Sequence, residues 1–308
     1  MSKLFVSSSP HLRATSSTRR IMLDVIISLL PASAASVVFF GWRALMLIGV
    51  CVFTCVFTEY ICRIVMKRSQ TIGDLSAAVT GLILALNLPS TLNPLIAIFG
   101  SVAAIVVVKQ MFGGIGMNFV NPAMAARIIL MVSFPTAMTN WVNTQFAGVD
   151  AVSSATPMAA EAGTYSYMEL LFGNHGGSMG ETCAVALILG GIYLVARRVI
   201  SPVIPVVYIG TTAVLSFVLG QNPVQQVLSG GLLLGAVFMA TDYTTSPITK
   251  WGKVVYAVGC GVMTVLIRTY AELPEGVSFS ILLMNILTPL IESITTPKPF
   301  GASKEGKK

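Results

Sequence analysis

The sequence predicts an all-α polytopic integral membrane protein with about ten transmembrane helices, and three observations predict it. Of 308 residues, 55% are hydrophobic and only 10% charged, and the mean hydropathy is +0.82. That is more apolar surface than a soluble domain of this length can bury. The apolar residues gather into long runs, as membrane spans require. The basic residues behind the net charge of +7 sit in short clusters between those runs, as in cytoplasmic loops. No basic face is interleaved with aromatics, so the partner implied by the charge is a membrane and not nucleic acid.

Taken in order, residues 1–20 form a polar segment with Lys3, Arg13, Arg19 and Arg20. Ala32-Ser33-Ala34 loosely resembles a signal cleavage site, but the apolar run continues to about Gly41, which favours an uncleaved first helix. Ten spans are expected at about 21–41, 44–62, 72–88, 94–109, 117–135, 179–196, 203–219, 224–241, 254–270 and 277–294. The third is short and punctuated by Gly73 and Gly81. With the N-terminus inside, 16 of the 19 Lys and Arg residues fall on the inner side, which sets the orientation. Both termini, including the basic tail 295–308, are then cytoplasmic. The loop 136–178, with Asp150, Glu161 and Glu169 but no Lys or Arg, then faces outward.

Met117-Asn118-Phe119-Val120-Asn121-Pro122 and Met284-Asn285-Ile286-Leu287-Thr288-Pro289 both read Met-Asn-x-x-x-Pro, each at the last span of a five-span half. Five spans per half is odd, so the halves 21–135 and 179–294 would insert with opposite orientations. The expected architecture is two inverted five-helix repeats, with sites near the repeat interface.

The outer loop contains Asp150-Ala151-Val152-Ser153-Ser154-Ala155-Thr156-Pro157. Pro157 biases Thr156 towards an extended backbone, and Ser153, Ser154 and Ala155 add no bulk. The result is an accessible secondary hydroxyl on a thin strand, or else a solvated linker. Lys109–Arg127 holds three glycines, Asn118, Asn121 and Pro122 at membrane depth. Irregular backbone there must be buried in protein or line a cavity. Either the Asn118 and Asn121 amides hold a polar ring such as a flavin, or the glycines serve close helix packing.

Asp24 lies inside the first span, where a carboxylate serves an ion path or is held by a structural hydrogen bond. Gly173–Thr182 reads as a flexible helix start whose amides could meet an anion, or as a capped loop. Asp242 either caps or coordinates at a polar turn. Cys51, Cys55, Cys62, Cys183 and Cys260 form no C-x-x-C pair, so no metal site is expected within this chain.

Several of these segments together resemble one family. They are Ser-Pro-His at 9–11, Gly-Asp-Leu-Ser at 73–76, Asn-Pro-Ala at 121–123, Ser-x-Ala-Thr at 153–156, Gly-Gly-Ser-x-Gly-Glu at 176–181, and Asp242 with Thr245-Ser246-Pro247. The chain is similar, over nearly its whole length, to the family of the D subunits of the Rnf ion-translocating electron-transport complex. The B subunit of the sodium-pumping NADH:quinone reductase is a related member. That protein is longer at its N-terminus, so the short lead here favours the Rnf branch. The family more often has glycine or threonine where this chain has Ser154.

The resemblance implies a bacterial inner-membrane flavoprotein whose FMN is joined by a phosphoester to Thr156, within the motif of Asp150, Ser153, Ser154 and Ala155. A separate flavin transferase would attach it. It also implies a second, non-covalent flavin such as riboflavin near Asn118 and Asn121. The implied partners are the other Rnf subunits, and the implied activity is ferredoxin:NAD oxidoreduction coupled to export of Na⁺ or H⁺. Two readings from other classes stand beside this one. A permease of similar inverted-repeat fold would be colourless, and a structural scaffold would bind no flavin.

Overall fold

The computed structural model describes residues 17–142, 166–173, 175–271 and 276–297. The described elements are all helical. In order they are α1 (Thr18–Phe40), α2 (Trp42–Val65), a 3₁₀ turn (Ile72–Asp74), α3 (Ser76–Leu86), α4 (Pro94–Ala103), α5 (Pro122–Ser133), α6 (Pro135–Met138) and α7 (Tyr167–Phe172). The second half holds α8 (Ala184–Ala196), α9 (Val203–Val218), α10 (Pro223–Leu228), α11 (Leu232–Leu234), α12 (Lys250–Tyr270) and α13 (Gly276–Thr295). Two π-helical stretches, Ala104–Gln110 and Gly235–Met239, continue α4 and α11.

Each of the ten expected apolar segments overlaps a helix or a broken pair of helices, but residues 117–121 and 179–183 of two of them are irregular backbone. Among the described residues, only α1, α2, α12 and α13 are long and apolar enough to cross a bilayer unaided. The reason is length. The 11 residues of α3 and the 12 of α5 rise only about 16 and 18 Å, against a hydrocarbon core of about 30 Å. Sequence punctuation causes the shortening. Asn93-Pro94, Asn121-Pro122 and Asn222-Pro223 each begin a helix, the asparagine side chain accepting from backbone N–H groups in the first turn. Gly230 and Gly231, both at positive φ, separate α10 from α11.

The short elements survive because their backbone groups are paired inside the protein. The carbonyls of Leu86 and Leu88, at and just past the end of α3, accept from the N–H groups of Gly180 and Met179 at 2.7 and 3.1 Å. Residues 175–182 are almost wholly buried around this contact, so those two amides are spent on α3 and do not face an anion. Glu181 accepts from Gly230 N–H and Ser178, and Arg268 donates to the carbonyls of Gln226, Ser229 and Gly230. The Arg127 guanidinium donates to the side-chain amide oxygen Oδ1 of Asn87, just past the end of α3.

Packing pairs α1 with α8, α2 with α3 and α4, and α9 with α12. The core is led by Leu29, Leu47, Leu84, Leu86, Met124 and Leu130. Large apolar side chains such as Phe53, Phe217 and Ile294 stand exposed on the outside, the surface that lipid would cover. The two Met-Asn-x-x-x-Pro strings differ in conformation: 117–121 is irregular backbone before α5, whereas 284–289 lies inside α13. They do meet in space. With its amide oriented to satisfy its neighbours, Asn285 accepts from the N–H of Asn121 at 3.2 Å and is held by Tyr256.

The contact of α3 with α2 depends on Gly81. A Cβ there would lie 2.8 Å from both the Cys51 carbonyl oxygen and Val52 Cα, and backbone cannot yield as a side chain can. Gly81→Ala is therefore expected to destabilise by about 1–3 kcal/mol, read as a lower melting temperature in detergent. Gly49→Ala, where nothing lies within 4 Å, is expected not to lower it.

Candidate functional site

The interrupted helices leave a cavity of about 410 Å³ at the end of the bundle where α1 and α3 begin and α4 and α8 end. Ile21, Met22 and Val25 of α1, Val79 and Ile83 of α3, and Val237 and Phe238 form apolar walls. Polar groups come from Ser76, Lys109, Asn118, Asn121, Asp242 and Thr244. Both π-helical stretches contribute to the lining, an association common at functional sites. The size and the mix of apolar wall with few polar groups fit a small-molecule site.

Lys109 sits in a buried network. Its ammonium donates to Glu59 Oε2 at 2.9 Å and to the Ser76 hydroxyl at 2.6 Å. Glu59, with no exposed surface, also accepts from Gln110 Nε2 at 2.9 Å and Thr71 Oγ1 at 2.8 Å. Asp74 Oδ1 in turn accepts from the N–H and hydroxyl of Ser76. An ion pair out of water persists only when its remaining hydrogen-bonding capacity is met. Gln110 and Thr71 do this for Glu59, and Ser76 does it for Lys109. Arg63, also buried, lies under Gly114, where any Cβ would strike its guanidinium. Gly113, Gly114 and Gly116 all have positive φ. The glycines thus serve a turn that interrupts the chain between α4 and α5. Lys109 and Arg63, counted from sequence among the inner-side charges, are interior groups.

The two sequence-predicted asparagines line the cavity together but do different work. Asn121 Oδ1 accepts from Ala123 N–H at 3.0 Å and Met124 N–H at 3.4 Å, capping α5, and its Nδ2 donates to the Met239 carbonyl at 3.4 Å. That side chain is committed to structure. Asn118 Nδ2 donates to the Val120 carbonyl and to Thr244 Oγ1, both at 3.0 Å. Its two amide hydrogens are used, so its carbonyl oxygen is the group left to accept from a ligand. Thr244 donates to Asp242 Oδ2 at 3.1 Å, and Thr245 to the same oxygen at 3.3 Å. Burial pushes the Asp242 carboxyl above the usual range, against the opposing effect of the Thr244 and Thr245 hydrogen bonds.

Asp24 lies in the second turn of α1, between the cavity-lining residues Met22 and Val25. It accepts from Tyr193 Oη at 3.0 Å and pairs with Arg197 at 3.5 Å. Arg197 is 43% exposed, so the pair ties α1 to α8 and contributes at most about 1 kcal/mol. Asp150, Ser153, Ser154, Ala155 and Thr156 lie outside the described residues. Sequence reasoning missed the Glu59–Lys109 pair and the Thr244 contact. A carboxylate and an ammonium both within apolar runs were the available signal for the pair; nothing local marked Thr244.

Comparison with known proteins bears on what this site serves. The model of the NQR2, RnfD, RnfE family matches residues 5–301. The chain belongs to that family. It is 47% identical over 308 residues to the D subunit of the Na⁺-translocating ferredoxin:NAD⁺ oxidoreductase complex of Acetobacterium woodii, covering 98% of this chain and 96% of that protein. It is 41% identical over 319 residues to the D subunit of the proton-translocating ferredoxin:NAD⁺ oxidoreductase complex of Clostridium ljungdahlii, covering 97% and 96%. A third family relative, the D subunit of the ion-translocating oxidoreductase complex of Stutzerimonas stutzeri, is 36% identical over 334 residues, covering 95% and 94%.

The buried pair allows a direct test. Removing one partner leaves an unpaired charge, so Glu59→Gln and Lys109→Met are each expected to cost about 3–5 kcal/mol. The double variant should recover most of that loss, because no charge is stranded. A double-mutant cycle on detergent melting measures it. Additive losses would mean that the pair is not coupled.

Proposed function

We propose that this chain is the membrane flavoprotein subunit of an ion-translocating ferredoxin:NAD oxidoreductase complex, a redox-driven translocase that exports Na⁺ or H⁺. Near-full-length similarity to relatives named for that complex supports the class of activity. One of those names specifies sodium and another protons, so the assignment is to cation export and not to one ion. Other subunits of the complex supply the remaining redox groups, and the chain sits in the bacterial inner membrane with both termini in the cytoplasm.

The observation that carries the flavin part of this reading is the cavity itself. Its volume of about 410 Å³, its apolar walls, the unspent Asn118 carbonyl oxygen and the adjacent Lys109 ammonium suit a flat heteroaromatic ring with both N–H and C=O on one edge. A flavin bound there, riboflavin in our reading, supplies one- and two-electron transfer. Asn118 orients the ring by accepting its N–H, Lys109 donates to a ring carbonyl, and the apolar walls keep water from its faces. Asn121 acts one step back by capping α5 and fixing the approach of that helix.

A second flavin, FMN, is held through its phosphate on the Thr156 oxygen in the outer loop, attached by a flavin transferase. In sequence, Pro157 favours an extended backbone at the residue before it, and Ser153, Ser154 and Ala155 add no bulk beside the Thr156 hydroxyl. The tether keeps the local flavin concentration high without requiring affinity.

Two measurements test these assignments. Thr156→Val preserves the β-branched shape and removes the oxygen. On a denaturing gel under ultraviolet light, the wild type is expected to give a fluorescent band at the chain's mass and the variant a dark one of equal protein staining. A fluorescent variant band would move the attachment to another residue. Single cysteines at the exposed positions Thr139, Asn140, Ser166 and Met168 of the 136–178 loop are expected to react with an impermeant reagent added outside cells, and those in 66–70 are not. The reverse pattern would invert the orientation.

A further inference from the structure

We propose that Thr244 and Asp242 are positioning residues for the cavity: they lock the Asn118 side-chain amide so that its carbonyl oxygen, and not its NH₂, faces the ligand. The inference rests on the reading of the cavity as a flavin site and adds the groups that set its polarity. An asparagine amide has nearly identical ends, and turning it over exchanges an acceptor for two donors. A site that must recognise a ring N–H needs something to forbid that turn.

The hydrogen-bond chain supplies the restraint, and its direction is fixed from its far end. Asp242 Oδ2 accepts from two hydroxyls, those of Thr244 at 3.1 Å and Thr245 at 3.3 Å. A hydroxyl has one hydrogen. Once Thr244 has given its hydrogen to Asp242, its oxygen can only accept. What it accepts is Asn118 Nδ2–H at 3.0 Å. The Val120 carbonyl, also acceptor-only, takes the other amide hydrogen at 3.0 Å. With the amide reversed, the Asn118 oxygen would confront two acceptors, and the NH₂ would point at the ring N–H, donor against donor. The lock is itself well seated. Asp242 is held in a turn by the N–H of Ser246 donating to its carbonyl at 3.0 Å, and that turn is tied to α13 by the Thr288 hydroxyl on the Thr245 carbonyl at 2.9 Å. The lock therefore belongs to the second half of the chain and the recognising oxygen to the first. A neighbouring hydrogen bond of this kind holds the contacting group in its productive orientation.

The test uses the full chain purified in detergent, with riboflavin as probe. Its dissociation constant is read from quenching of riboflavin fluorescence, alongside the melting temperature and the covalent flavin content. Thr244→Val removes the hydroxyl and is expected to weaken riboflavin about three- to tenfold, the cost of one neutral hydrogen bond, with melting and covalent flavin unchanged. Thr244→Ser restores the hydroxyl and should return the affinity to within about twofold of wild type. A residue that merely fills space would show no such rescue, because valine fills the site better than serine. Should valine not fit, Thr244→Ala removes the same hydroxyl and carries the same expectation. Wild-type affinity in Thr244→Val or Thr244→Ala would overturn the proposal, as would failure of serine to rescue. Asn118→Leu separates this from the underlying reading: it is expected to abolish riboflavin binding. If it binds like wild type, the cavity is not the flavin site and the locking role falls with it. If it abolishes binding while Thr244→Val does not weaken it, the site stands and only the lock is lost.

Discussion

Backbone groups inside a bilayer have no water to turn to, and that constraint governs everything else in this chain. Several of its apolar segments are broken or too short to cross hydrocarbon, so their ends must be satisfied by other parts of the protein. The carbonyls at the end of α3 are met by amides of Met179 and Gly180. Gly230 between α10 and α11 is met from one side by the Glu181 carboxylate and from the other by Arg268. Asn121 caps α5 while reaching across to the Met239 carbonyl. The charged and amide side chains in the interior are therefore mostly the hydrogen-bonding partners of interrupted helices.

The same interruptions create the cavity. Continuous helices packed at about 8–10 Å leave no space for a ring. Here the turn at Gly113–Gly116, the delayed start of α5 at Pro122 and the two π-helical stretches hold the walls apart. Small-molecule space and buried polar groups thus have one origin. The Glu59–Lys109 pair illustrates it: Lys109 comes from a π-helical stretch at the end of α4 and meets a fully buried glutamate of α2.

Much of the fold was legible because apolar runs and Asn-Pro punctuation are local properties. Pro94, Pro122 and Pro223 each begin a helix with asparagine just before them, a local signal that the expected span from 117 did not use. Less legible were the span lengths, since an apolar run looks the same whether it is helical or irregular backbone buried in protein. Residues 117–121 and 179–183 belong to apolar segments yet lie outside helices. The site was half legible. Polar residues beside glycine at membrane depth mark Asn118 and Asn121, but their different roles are fixed by Thr244 and Met239, over a hundred residues away. Lys109 and Arg63 resemble loop charges in sequence. Only Glu59, on α2 and distant in sequence, makes Lys109 an interior group, and only the glycine turn above it does so for Arg63.

The bond between the end of α3 and residues 179–180 has a consequence for biogenesis. During synthesis α3 is complete roughly ninety residues before the amides that close its carbonyls exist. Through that interval the nascent first half has unpaired backbone acceptors at membrane depth, a state hydrocarbon does not tolerate. The first five spans are therefore not a self-sufficient insertion unit. The translocation machinery, or a water-filled space beside it, must shelter the end of α3 until the segment preceding α8 arrives, and a chain truncated before residue 179 has no route to a settled membrane structure.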